Sequence, residues 1–427
     1  MVMKKKIYNI LAVAAVAAMA FSCTAADEFW KAAVDGDYSG RGDAYLAEDG
    51  DIMPSAPGDI GGEGSENGQG NNAGLLTAGE WNDLDNWQFW GKLMLNQGEG
   101  TGQPLDSLFV SGYEYYTHWG FYTNNRVAVK VTNDGAPAAG VKVALKVDGN
   151  VVWNAVTDNS GEANLWINLY KNATLAEDAK LSIALDGTAQ EKVPVITKWA
   201  SDSTTYNTYE VSKSITDRKA DIAFIVDATG SMYDEIDFLK SDLIDIFNKV
   251  KGKQSGTAIR SAAVFYRDEG DDYVTKFKNF TSDISVVSDY VGKQSAAGGG
   301  DFPEAVHTAL EVALQSLSWN NDSRTKIAFM FLDAPAHQDH DGVLESLHKS
   351  IEAYAAKGIK IIPVAASGID KYTEFMLRFF AVGTSGTYVF LTNDSGIGGD
   401  HIQASVGEYE VEHLNDLIVR LIDKYLE

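Results

Sequence analysis

The sequence predicts a doubly wound α/β domain over residues 215–427, preceded by an antiparallel β-sandwich over residues 104–205. Three observations lead there. From about Asp217, apolar runs such as "IAFIV" and "KIAFMFL" alternate with amphipathic stretches, and strands apolar on both faces belong to a mainly parallel sheet covered by helices. Between residues 105 and 200, "RVAVKVTN" and "GVKVALKVDG" alternate apolar with polar side chains at period two, as half-buried antiparallel strands do. Two of the apolar runs end in a carboxylate, Asp227 and Asp333, where open parallel sheets bind their ligands.

Taken in chain order, the N-terminus reads as a targeting segment. Lys4, Lys5 and Lys6 precede an apolar run over residues 7–21 that is short for a membrane span, and "MAFSCTA" follows with Cys23, the one cysteine of the chain. This order resembles a bacterial lipoprotein signal. The resemblance implies removal of residues 1–22, lipidation of Cys23 and anchoring to a membrane of the cell envelope, at the outer membrane, the surface or the periplasmic face. Acyl chains contribute about 0.8 kcal/mol per buried CH2. A single cysteine leaves no internal disulfide. Residues 23–79 read as a Gly/Ser/Asn/acidic tether, in which the "RGD" at Arg41 to Asp43 is a chance-length match. Residues 80–103, with three tryptophans, read as a linker carrying a short helix packed on the next domain.

In the sandwich, "NVVWNAVTDNSGEANLWINL" reads as two strands joined by a turn at Asp158 to Gly161, and "KLSIALDG" and "EKVPVITKW" add two more. The phrasing resembles immunoglobulin-like or transthyretin-like repeats of bacterial surface proteins, which implies a spacer. In the α/β part, "DIAFIVDA" is a strand and "MYDEIDFLKSDLIDIFNKVKG" a helix with Ile236, Leu239, Leu243, Phe247 and Val250 on one face. "IRSAAVFYRD" and "DYVTKFKNFTS" form a strand pair. Helices at "DISVVSDYVGKQ" and "PEAVHTALEVALQSL" precede the strand "KIAFMFLDAP". Two helix–strand repeats and a last helix, "EYEVEHLNDLIVRLIDKYL", complete the pattern.

Asp227, Thr229 and Ser231 stand two residues apart at a strand-to-helix turn, and Asp301 and Asp333 lie in loops at the same predicted sheet edge. Carboxylates brought together repel one another and are costly to desolvate, a conflict that a hard divalent cation removes. The donors are all oxygen, which points to Mg2+, with Mn2+ or Ca2+ as alternatives. "DATGSM" resembles the Asp-x-Ser/Thr-x-Ser signature of the von Willebrand factor type A domain, a Rossmann-like fold with a metal-ion-dependent adhesion site. "GGGDFPEA", "YRD" and "DAPAH" resemble its alpha-kinase-type and hemicentin-type branch. The resemblance implies Asp227, Thr229 and Ser231 as the first metal loop and Asp333 as the third. Asp301 falls where integrin-type domains carry a threonine in the second loop. It also implies a partner, protein or glycan, engaged through a carboxylate on the metal.

Around this set, Tyr266, Arg267, Asp268, Glu304 and His337 are rim candidates. Blander readings stand beside them: Arg267 with Asp268 as an ion pair, Glu304 as a first-turn residue favoured by the helix dipole, and His337 with His340 as a surface loop lacking a third zinc ligand. A net charge of −25 argues against nucleic-acid binding, and "SGIGGDH" opens no helix as a phosphate loop would. No serine–histidine–acid or cysteine–histidine set is evident, so the expected function is binding and adhesion, not catalysis. The alternatives are a structural surface protein with a closed metal site and, less favoured, a metal-dependent hydrolase.

Overall fold

A computed structural model describes residues 46–47, 76–95, 112–199, 203–395 and 401–427. The signal segment, Cys23, most of the tether and residues 96–103 lie outside the described residues. Strands β1 (Leu46–Ala47) and β2 (Thr77–Trp81) precede helices α1 (Trp87–Leu95) and α2 (Gly112–Trp119). Eight strands follow: β3 (Arg126–Asn133), β4 (Ala136–Pro137), β5 (Lys142–Val147), β6 (Asn150–Val156), β7 (Glu162–Trp166), β8 (Leu181–Leu185), β9 (Thr188–Ala189) and β10 (Tyr206–Glu210). The rest alternates: β11 (Lys219–Asp227), α3 (Tyr233–Lys253), β12 (Ala258–Tyr266), β13 (Thr275–Thr281), α4 (Ile284–Gly292), α5 (Val306–Gln315), β14 (Thr325–Leu332), α6 (Val343–Lys357), β15 (Ile359–Ala365), α7 (Lys371–Thr384), β16 (Tyr388–Thr392), β17 (Glu412–His413) and α8 (Leu414–Leu426).

The large sheet runs β1-β13-β12-β11-β14-β15-β16-β2-β17. β12, β11, β14, β15 and β16 are mutually parallel, and β13 is antiparallel to β12. The chain lays strands outward from β11 to β13, then returns to β14 on the other side of β11. That reversal makes the β11/β14 gap the topological switch point, where a crevice opens at the carboxyl ends. Alternate residues divide between two cores. Ile222, Phe224, Val226, Phe329 and Phe331 pack under α3, α4 and α8. Ala223, Ile225, Met330 and Leu332 pack under α5, α6 and α7. Two-sided burial is what the unbroken apolar runs require.

Three features depart from the expected layout. First, β2, read from sequence as tether and linker, is a strand of the main sheet, antiparallel to both β16 and β17. Gly79 allows this, because a Cβ there would lie 2.7 Å from the rings of Phe390 and Tyr409. Second, "EKVPVITKW" forms no ladder; Val193 and Val195 are exposed, and Pro194 has no N–H to give. Third, the strand that does join the sheet is β10, beyond the expected boundary and parallel to β3. Asn207 on β10 serves the displaced segment, accepting from the Val195 N–H at 2.7 Å and donating to the Val195 carbonyl at 2.9 Å. The β3–β10 region is thus two four-stranded sheets, not a purely antiparallel sandwich.

The smaller sheets share one apolar core with the α5–α7 face, through Val129, Leu145, Trp153 and Leu165. The tryptophan-rich segment is pinned by a buried charge network. Arg378 on α7 donates through Nε to Asp83 Oδ2 at 2.9 Å and through Nη1 to the Ser405 carbonyl at 2.7 Å. Trp81 Nε1 completes Asp83 at 3.0 Å, and Glu374 accepts from the Ser405 N–H at 2.6 Å. Among the described residues no helix is long and apolar enough to cross a membrane.

Candidate functional site

Asp227 is the last residue of β11 and Asp333 follows the last residue of β14, so the two carboxylates flank the switch point. The turn after β11 is shaped by Asp227 itself. Its Oδ1 accepts from the Thr229 N–H at 2.9 Å and from Thr229 Oγ1 at 2.7 Å, holding the backbone in a tight loop before α3. A Gly-rich loop closes over this turn. The Gly298 carbonyl accepts from the Gly230 N–H at 3.2 Å, and Gly298 and Gly299 are left-handed, with φ of 80° and 75°. A Cβ on Gly298 would meet the Asp271 carboxylate at 2.3 Å, so glycine is required there.

The same loop delivers Glu304 rather than Asp301. Glu304 precedes the cap of α5, so it is not a first-turn helix residue; its N–H donates to the Pro335 carbonyl at 2.8 Å in a parallel bridge with Ala336. That bridge fastens it to the Asp333 loop. Asp227 Oδ2, Asp333 Oδ1 and Glu304 Oε2 are all buried without a hydrogen bond of good geometry, although the Tyr266 hydroxyl lies beside Asp227 and that of Ser231 beside Asp333. Three such buried carboxylate oxygens are not a stable arrangement by themselves. Burial, then the charge of Asp333, raises the Asp227 carboxyl to about 7. Burial and then Asp227, Asp268 and Asp333 raise Glu304 to about 9. Asp333 is raised by burial, opposed by the Ser231 hydroxyl beside it. Glu235, in the first turn of α3, is buried and pushed to about 8, chiefly by burial, with Asp333 contributing.

A divalent cation would give the orphaned oxygens a partner and cancel their mutual repulsion, but these three carboxylates are not among the groups whose ligand atoms all lie within 4.8 Å of one another, so an ion would have to draw them together. Asp227, Ser231, Asp333 and Glu304 could hold it, with Thr229 bracing Asp227. Glu304 is the ligand candidate that sequence reasoning had set at the rim. The signal was its place in "GGGDFPEA", three residues past Asp301.

Asp301 is exposed, and its carboxylate gathers instead with Asp268 and His337, the three ligand atoms lying within 4.8 Å of one another. His337, Asp339 and His340 form a second such group, so the "HQDHD" segment does find further ligand-type neighbours in the fold. His337 Nε2 lies 2.6 Å from Asp268 Oδ1, and its ring stacks on His340 with centroids 4.4 Å apart. Asp268 therefore serves His337, not Arg267. The Arg267 guanidinium donates to the carbonyls of Ala228 at 3.1 Å and Ser295 at 3.0 Å, tying the turn after Asp227 to the segment before the glycines. Tyr266 is fully buried beside Asp227, its hydroxyl raised well above the ordinary range by burial and by Asp227, Asp333 and Glu304. It is a wall of the site, not its rim.

Comparison with known proteins places this geometry. Residues 221–377 match the family model of the von Willebrand factor A domain. A 119-residue stretch is 32% identical to an alpha-protein kinase of Dictyostelium discoideum, covering 27% of this chain and 19% of that protein. A 123-residue stretch is 32% identical to a putative ariadne-like RING finger protein of Acanthamoeba polyphaga mimivirus, covering 27% of this chain and 11% of that protein. The similarity thus spans a small part of either relative.

Proposed function

Residues 221–377 of this chain are a von Willebrand factor A domain, and from that premise we propose a lipid-anchored binding protein of the cell envelope that engages its partner through a divalent cation. Asp227, Ser231, Asp333 and Glu304 hold the ion, for which Mg2+ suits the all-oxygen donor set. The partner, a protein or a glycan, offers a carboxylate to the open position. Cys23 carries the anchor, the tether gives reach, and the immunoglobulin-like or transthyretin-like β3–β10 unit holds the binding edge away from the membrane. The reading is non-catalytic: the buried groups at the edge are chiefly carboxylates and hydroxyls, and among the described residues no nucleophile is paired there with a base. The observation that carries it is the trio of buried oxygens without a good hydrogen bond on Asp227, Asp333 and Glu304.

Binding and a closed structural staple differ in whether the ion keeps an exchangeable position. With Mn2+ on the full chain, water-proton relaxation enhancement should reveal a coordinated, exchanging water. An Ac-Gly-Asp-Gly-amide peptide should quench that enhancement, and the Asn peptide should not. Silent relaxation, or equal quenching by both peptides, contradicts carboxylate capture.

A further inference from the structure

At the opposite end of the sheet from the carboxylates, where β14 and β15 begin, the smaller sheets and the α/β layer enclose a cavity of about 350 Å3. Its walls carry Lys142, Arg324, Lys326, Lys357 and Lys360 against one carboxylate, Asp158. Such an excess of cations runs against a chain of net charge −25. The two units approach closely here: a Cβ on Gly358 would lie 2.8 Å from Val156 Cβ across the junction, so the cavity is bounded by fixed backbone.

Most of these cations have partners. Lys360 pairs with Asp158 at 2.9 Å and donates to the Ser385 carbonyl at 2.7 Å. Arg324 Nη2 reaches the carbonyl oxygens of Asn159 at 3.4 Å and Glu427 at 3.2 Å, and Lys357 reaches that of Leu314 at 3.3 Å. Lys326 differs. It is 7% exposed, it lines the cavity, and no hydrogen bond or ion pair of its ammonium occurs among the described residues. The acids that face it are Asp221, its register partner on β11, and Asp322. Asp221 is already taken: it holds Arg260 through both oxygens, at 2.9 and 2.7 Å, and accepts from the Asn320 N–H at 2.7 Å. Burial, with Lys357 adding to it, pushes the Lys326 ammonium down to about 8 against the pull of Asp221 and Asp322. A largely buried ammonium that makes no direct contact with the acids facing it leaves room at the cavity wall for an anion.

We propose that this cavity binds a small phosphate monoester, its dianionic head on Lys326 with Arg324 and Lys357 around it. A lining of five cations against one carboxylate matches a dianion better than a single carboxylate. Val156, Ile215 and Tyr425 line the rest, an apolar surface that suits an organic body on the phosphate.

Calorimetric titration of the full chain with phenyl phosphate and with inorganic phosphate, at matched chloride ionic strength, tests this. Phenyl phosphate should bind at one site per chain, more tightly than inorganic phosphate. K326M should weaken it by about tenfold or more while melting no lower than the wild type, because it removes a largely buried charge that has no direct ion pair. R324Q, at the wall rather than in the strand, should weaken it too. Absence of binding beyond the chloride control, or unchanged binding in both variants, overturns the site. Equal affinity for the two phosphates overturns the assignment of an organic body.

Discussion

Asp227→Asn should raise the stability of the metal-free protein by about 2–4 kcal/mol near pH 8 and abolish its response to Mg2+. The substitution keeps Oδ1, so the turn bonded to Thr229 survives. It removes a charge that sits fully buried beside Asp333, in a carboxyl raised to about 7 from its ordinary 3.8. A raised carboxyl binds its proton more tightly folded than unfolded. In chelator the unfolding free energy of the wild type should therefore fall as pH climbs from about 4 through about 7, and less steeply in the variant. Glu235, at about 8, and Glu304, at about 9, extend that decline upward in both proteins. Bound Mg2+ reverses the balance, because each ionised oxygen then has a partner. The wild type should gain about 2.7 kcal/mol when the ion is at roughly a hundredfold over its dissociation constant. Urea unfolding with Mg2+ and with chelator measures all of this. A variant less stable than the wild type in chelator, or one that keeps the Mg2+ gain, contradicts the assignment.

Asp83→Ala should cost about 3–5 kcal/mol, the largest single loss expected away from the Asp227 and Asp333 loops. Arg378 and Asp83 are both fully buried, and the aspartate also takes the Trp81 indole, so truncation leaves the guanidinium with only Glu374, 3.7 Å away, as counter-charge. The loss should fall on the contact between the tryptophan-rich segment and α7, where Trp90 stacks on Phe375 and meets Phe379 edge-on. The double change Asp83→Leu with Arg378→Met should recover much of the loss, since a well-packed apolar pair can replace a buried ion pair. Urea unfolding again decides: a single-variant loss under about 1 kcal/mol would mean the network adds little beyond packing.

The two sites also differ in how far the sequence revealed them. The α/β alternation was legible because β11, β14 and β15 must be apolar on both faces, and no half-exposed strand carries that pattern. Asp227 and Asp333 were legible because each ends such a run. β2 was not: "TAGEW" is short and follows a glycine-rich segment, and it becomes a strand only because the edge of β16 needs a partner. β10 was hidden for a similar reason, since "YNTYE" has few aliphatic residues and Asn207 acts through its side chain. Helix-start logic sees Glu304 only as a residue near α5, because the bridge to Ala336 that fastens it to the Asp333 loop is long-range. Lys326 gave no warning at all. A lysine at the start of a strand looks solvated until the β3–β10 unit packs over it.

The central claim is that the ion sits at the switch point, on Asp227, Ser231, Asp333 and Glu304. Anomalous scattering from a crystal soaked in Mn2+ tests it most directly. The account predicts one strong peak among those four side chains at the carboxyl ends of β11 and β14. A peak on Asp268, Asp301 and His337, with the first position empty, would contradict it.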